Sequence, residues 1–262
     1  MIDFNLKNMV AYITLNRPDV HNAFNDVLVA DLAKIFKEVD NDPQIRVVVL
    51  GSVGKTFSAG ADLQWMQKVA RYSEQENVED ALGLARMMSH LYFLGKPTIA
   101  RVQGAAYGGG VGLVSACDIA ISSQAASFCL SEVKLGVIPA VISPYVIRAI
   151  GQRQASRYFL TAETFDATTA QQIGLVHATV PSANLDAEID KIISAILQGA
   201  PLAQKEAKKL VQEISGQPID IKLTRDTAER IARRRVSPEG REGIAAFLKK
   251  APPSWHQTYK KD

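Results

Sequence analysis

The chain has 262 residues, 47% hydrophobic and 22% charged, which suits one large soluble domain, or a core with a small appendage. Thirty basic against 27 acidic residues leave a net charge of +3, too balanced to point to nucleic acid as the main partner. Met1 to Met9 lacks the basic-then-apolar pattern of a signal peptide, and no apolar stretch of about 18 residues could cross a membrane, so a reduced cytoplasmic setting is the default expectation.

In chain order, Val10 to Leu15 has strand chemistry and ends at the turn signal Asn16-Arg17-Pro18. Asn25 caps a predicted helix whose apolar positions Leu28, Leu32, Ile35, Phe36 and Val39 recur at helical spacing. Val47 to Leu50 is a continuous apolar run of the kind found in buried parallel strands. Lys68 to Leu94 reads as a mobile polar connection followed by a helix, and Pro97 to Val102 as the next buried strand.

After Gly108-Gly109-Gly110, Val111 to Ala116 reads as helix, and Ile119 to Ile121 and Ser127 to Leu130 as strands. Alternation of this kind predicts an α/β domain with strands packed under helices. From Pro144 onward the character turns helical: 145–150, 152–160, 167–173, a stripe of Leu185, Ile189, Ile192, Ile193 and Ile196, then 202–214 and 219–235. A division at Gly199-Ala200-Pro201 would separate a core, 1–199, from a helical region, 200–262. Arg233-Arg234-Arg235 and Lys260-Lys261 read as solvated faces.

Two Gly/Ala-rich turns carry the chemistry: Ser58-Ala59-Gly60-Ala61-Asp62-Leu63 and Gly104-Ala105-Ala106-Tyr107-Gly108-Gly109-Gly110. Each follows an apolar strand and lets backbone N–H groups reach a ligand without a side chain in the way. One such turn alone serves strand-to-helix packing, but two aimed at one point make an oxyanion hole for a developing acyl oxyanion. No complete Gly-x-Gly-x-x-Gly and no Walker loop is present. Cys117 and Cys129, with His21, His90, His177 and His256, form neither a disulfide framework nor a zinc-ligand pattern, so no metal is expected.

With both turns in place, the chain resembles the crotonase (enoyl-CoA hydratase/isomerase) superfamily over nearly its whole length. The resemblance rests on Leu15 to Pro18 with His21-Asn22-Ala23, Phe57 to Leu63, Lys96 to Gly110, and Cys117-Asp118-Ile119. It continues through Phe128 to Pro139, Gly174-Leu175-Val176, and Arg241-Glu242-Gly243 with Phe247. It implies a spiral of repeated strand-strand-helix units, a helical C-terminal region mediating a homotrimer or dimer of trimers, and an acyl-coenzyme A thioester as substrate. It also implies no permanently bound cofactor.

The implied oxyanion-hole amides fall on Ala61 and Gly109, the latter at the positive end of the helix to Ala116. Coenzyme A would run along Ala23, Ala59, Asp62, Leu63 and Gln64, with Phe247 and Lys250 matching positions that reach a neighbouring subunit's ligand.

Hydratases of this kind hold water between two glutamates. The second aligns with Glu132, the expected acid/base group, whereas the first position holds Gly112. The missing side chain is expected to leave room for a branched or carboxylated acyl group. Val111-Gly112 together with Pro139 to Pro144 resembles the bacterial methylglutaconyl-CoA hydratase subgroup. Tyr107, Ser131 and Ser143 read as structural neighbours. Three functions remain open: an enoyl-CoA hydratase, with 3-methylglutaconyl-CoA as one candidate substrate; an enoyl-CoA isomerase working with Glu132 alone; and a non-catalytic acyl-CoA- or RNA-binding homologue.

Overall fold

The computed structural model describes residues 1–259, and the expected solvated tail Lys260-Lys261 lies outside the described residues. An antiparallel hairpin, β1 (Ile2–Lys7) and β2 (Val10–Leu15), opens the fold. Helix α1 (Asp26–Asn41) follows, with the Asn25 side chain accepting a hydrogen bond from the Leu28 N–H as the cap predicted. Leu28, Leu32, Phe36 and Val39 are buried along its inner face, and Ile35 packs partly buried beside them.

A repeat then emerges that the sequence does not display. Strands β3 (Val47–Ser52) and β4 (Thr56–Ser58) are followed by helices α2 (Leu63–Val69) and α3 (Glu74–Tyr92). Next come β5 (Thr98–Val102), β6 (Ala105–Tyr107) and α4 (Gly109–Ala116), then β7 (Ile119–Ser123), β8 (Ser127–Cys129) and α5 (Ser143–Thr161). In each turn of the spiral the first strand joins one sheet and the second joins another. With β9 (Phe165–Asp166) and β10 (Ala178–Val180) the sheets read β1-β2-β3-β5-β7-β10 and β4-β6-β8-β9.

Parallel neighbours need a crossover, and the helices supply it. Because β4, β6 and β8 lie side by side and parallel, with Ser58 beside Ala106 and Tyr107 beside Cys129, the segments leaving their C-terminal ends emerge together. Open α/β sheets place ligand sites at that edge.

Phe24, Phe36, Phe57, Phe128, Met87 and Met88 fill the main core. Helix α7 (Leu185–Gln198) covers the other face of the large sheet, burying Leu185, Ile189, Ile193 and Leu197 against Val47, Val49, Ile99 and Ile121. Burial on both faces is why Val47 to Leu50 reads as unbroken apolar sequence.

One expectation needs correction. The polar connection at Lys68 is the last turn of α2, after which Ser73 and Glu76 form a capping box that starts α3. The two helices expected at 145–150 and 152–160 are both present within α5, which is interrupted between them at Gly151, whose φ of 73° is non-helical. Past α6 (Ala167–Gln172) and α7, helices α8 (Pro201–Ile214), α9 (Ile221–Val236) and α10 (Pro238–Leu248) carry no buried residue.

Gly104 shows how tightly the spiral closes: a Cβ there would lie 1.8 Å from the Lys55 carbonyl oxygen. Gly104→Ala is therefore expected to destabilise the protein by about 3 kcal/mol, read from denaturant unfolding, because backbone rather than a mobile side chain must move.

Candidate active site

The first turn is held by a short parallel bridge. Phe24 N–H donates to the Gly60 carbonyl at 2.6 Å, and Asp62 N–H donates to the Phe24 carbonyl at 2.7 Å. Since Phe24 is bonded on both sides of Ala61, the N–H of Ala61 itself points to the opposite side. Gly60, at φ 86°, makes the corner that allows this.

The second turn lies directly against the first. A Cβ on Gly60 would sit 3.1 Å from the Tyr107 carbonyl oxygen and 3.7 Å from the Gly109 nitrogen. A Cβ on Gly110 would sit 2.6 Å from the Ser58 carbonyl oxygen, and one on Gly109 would sit 2.6 Å from the Phe24 ring. Gly109 opens α4, so its N–H is one of the donors a helix leaves unpaired, at the positive end of the helix dipole. Among the described residues, neither the Ala61 nor the Gly109 N–H donates to a backbone carbonyl.

Glu132 begins a 3-10 turn, Glu132–Leu135, just past β8. Its Oε1 lies 3.2 Å from where a Cβ on Gly108 would be, so the carboxyl rests on the second turn. Its Oε2 is buried and has no hydrogen-bond partner among the described residues. Burial pushes the carboxyl pKa up, partly offset by its own backbone N–H. A half-desolvated carboxylate is a stronger base than one in water.

Around this centre, Ala23 is buried and Ala59 half-buried. Asp62 is buried too, but its carboxylate is already engaged: it caps α2 through the Gln64 N–H at 2.8 Å and pairs with Arg17 at 2.9 Å. Burial works to raise its pKa, and those two partners outweigh it, holding the group below the usual carboxylate range. Leu63 and Gln64 are exposed along α2. Phe247 lies exposed on α10 and Lys250 just beyond it, on the arm in which α10 packs on α8 and α9. Tyr107 Oη hydrogen-bonds Ser127 Oγ at 3.2 Å, and Ser143 Oγ donates to the Ala140 carbonyl at 2.8 Å.

The expectation that Gly112 leaves room is overturned. Gly112 is buried one turn below Gly108, its N–H donating to the Gly108 carbonyl at 3.2 Å. A Cβ there would lie 2.4 Å from Ile142 Cγ2 and 3.2 Å from Met88 Cε. Ile142 thus occupies the space a side chain at 112 would need, which makes Gly112 and the Pro139 to Pro144 segment one packing unit.

Sequence reasoning missed the Arg17 side chain, which bridges the Ala23 carbonyl and Asp62, and that of Asn22, which reaches the Val53 and Thr56 carbonyls. Consecutive left-handed residues, His21 and Asn22, show in the backbone but not in the sequence. Cys117 lines a separate cleft of 620 Å³ between α4, β7 and α8, and burial pushes its thiol up to about 12, far from a reactive thiolate. Among the described residues no group of His, Cys, Asp and Glu is placed to hold a metal ion, and no helix is long and apolar enough to cross a membrane.

The family model described as enoyl-CoA hydratase/isomerase matches residues 5–258. An enoyl-CoA hydratase structure from Shewanella pealeana is 46% identical, with 97% of this chain and 95% of that one covered at a TM-score of 0.95. An enoyl-CoA hydratase/isomerase structure from Marinobacter aquaeolei is 34% identical over 98% and 99% of the two chains, at a TM-score of 0.92. The enoyl-CoA hydratase AKT6-1 of Alternaria alternata is 32% identical over 242 residues, covering 90% of this chain and 77% of that protein. With a match over almost its full length and two turns built around one buried carboxyl group, the chain belongs to the enoyl-CoA hydratase/isomerase (crotonase) family.

Proposed function

We propose that this protein is an enoyl-CoA hydratase, adding water reversibly across the double bond of an α,β-unsaturated acyl-CoA. The observation that supports it most is the unpartnered, buried Glu132 oxygen beside two turns that leave the Ala61 and Gly109 N–H groups free of backbone carbonyls. Glu132 takes a proton from water as the water oxygen bonds to the β-carbon. The electron pair of the double bond moves toward the thioester, whose oxygen gains charge between the two amides. Glu132 then returns its proton to the α-carbon, so one carboxyl group serves as base and as acid.

One observation favours a second reading. Ile142 fills the space at Gly112 with an apolar side chain, and a double-bond shift needs only one proton-carrying group, so an enoyl-CoA isomerase fits the same site. As a substrate, 3-methylglutaconyl-CoA rests on the resemblance of Val111-Gly112 and Pro139 to Pro144 alone, since the room once expected at Gly112 is filled. Coenzyme A itself would lie along Ala23, Ala59 and the Ala61 to Gln64 segment. Self-association as a trimer or dimer of trimers is supported by the apolar residues exposed on the C-terminal arm, Ile219, Ile221, Phe247 and Leu248. We place the enzyme in the cytoplasm.

The test is incubation with straight, branched and carboxylated enoyl-CoA esters, read by loss of conjugated-thioester absorbance and by mass. A gain of one water is the expected result. A double-bond shift without mass gain would make it an isomerase, and binding without turnover across the panel would make it a non-catalytic homologue.

A further inference from the structure

The loop before α1 is fastened more heavily than a surface turn requires. Arg17 N–H donates to Asn22 Oδ1 at 2.8 Å, and Asn22 N–H donates back to the Arg17 carbonyl at 2.8 Å. Asn22 Nδ2 donates to the Val53 and Thr56 carbonyls at 2.9 and 2.8 Å, tying the loop to the β3–β4 connection. His21 and Asn22 both hold left-handed φ values, 55° and 54°, a conformation that costs non-glycine residues and persists only where surroundings enforce it. The His21 carbonyl in turn accepts the Ala59 N–H at 3.0 Å.

The Arg17 guanidinium points from this loop across the bridge that aims Ala61. Nη1 donates to the Ala23 carbonyl at 2.5 Å and Nη2 to Asp62 Oδ2 at 2.9 Å, with the two side chains only 16% and 9% exposed. Ala23 precedes Phe24, and Asp62 follows Ala61, so one planar group grips the two strands of the Phe24–Ala61 bridge immediately beside it. The other Asp62 oxygen is fixed by the Gln64 N–H, which leaves the carboxylate no freedom to swing. A peptide held at both ends in this way has its N–H direction set before any ligand arrives.

We propose that Arg17 is a positioning residue for the reaction, acting through Asp62 and Ala23 to hold the Ala61 N–H on the thioester oxygen. This rests on the oxyanion-hole reading given above. A lysine at 17 keeps the charge and can meet Asp62, but a point ammonium cannot match the guanidinium's planar two-armed grip on both partners. Removing the charge of Asp62 while keeping its cap, as asparagine, breaks the same grip from the other side.

The experiment is infrared difference spectroscopy of butyryl-CoA labelled with carbon-13 at the thioester carbonyl, which binds but has no double bond to hydrate. It is run with wild type, Arg17→Lys and Asp62→Asn, beside kinetics on the best enoyl-CoA substrate. The wild type is expected to lower the carbonyl stretch of the bound ester. Each variant is expected to lose at least half of that displacement, and kcat is expected to fall about tenfold to a hundredfold while KM stays within about threefold. Melting temperatures serve as the folding control, and if one variant fails to fold the other gives the reading. A full wild-type displacement with unchanged kcat in a folded variant would overturn the role of Arg17 alone. No displacement in the wild type would overturn the oxyanion-hole reading, and the proposal with it.

Discussion

Glu132→Gln is expected to lower kcat on enoyl-CoA esters by about a thousandfold or more while acyl-CoA still binds, because the amide keeps the shape of the carboxyl but cannot move a proton. The pH dependence follows from the same burial. Since burial raises the Glu132 pKa above the ordinary 4.5, the base form accumulates only above that raised value, and kcat/KM rises with pH through it. Folding favours the protonated carboxyl, so its contribution to stability is fully present below the unfolded pKa and is lost as pH rises through the folded one. The Gln variant is therefore expected to melt higher than wild type at neutral pH, with the difference closing in acid. Unchanged turnover in this variant would remove Glu132 from the mechanism.

Gly112→Glu is expected to damage the fold rather than restore a two-carboxylate site. The new Cβ meets Ile142 Cγ2 at 2.4 Å, and the carboxylate would enter a buried apolar pocket without a partner. Overpacking and unpaired charge together are expected to cost about 4 kcal/mol, measured by denaturant unfolding. Ile142→Ala alone is expected to cost about 3 kcal/mol through its cavity. In Gly112→Glu with Ile142→Ala, the loss is expected to fall well below the sum of the two, because each change relieves the other. A stable Gly112→Glu single variant with faster hydration of straight-chain esters would contradict the packing described for Ile142.

Legibility in the sequence followed the range of the interactions. Val47 to Leu50 is readable as a strand because its burial writes a continuous apolar run, Val10 to Leu15 and Pro97 to Val102 because apolar and β-branched residues dominate them, and α1 because cap and period agree. Strands β4, β6, β9 and β10, two or three residues each, exist only through pairing with distant neighbours and left no local pattern. The Ser73–Glu76 capping box was readable and would have started α3 correctly.

At the site, the small residues of both turns are visible as a departure from ordinary strand-end composition, whereas the acid at 132 stands out only through the family resemblance, since a lone glutamate at a strand end is ordinary. Their meeting depends on the parallel alignment of β4, β6 and β8, which no window of sequence contains. Ile142 lies 30 positions from the glycine it fills, and in the same way the grip of Arg17 on Asp62 spans 45 positions, so neither could be inferred from spacing.

A crystal structure of the protein with a bound, unreactive acyl-CoA tests the central claim most directly. The account predicts the thioester oxygen within about 3 Å of both the Ala61 and Gly109 nitrogens, with the Glu132 carboxyl against the α- and β-carbons. A thioester oxygen bonded to neither nitrogen, or an acyl chain lying out of reach of Glu132, would contradict it.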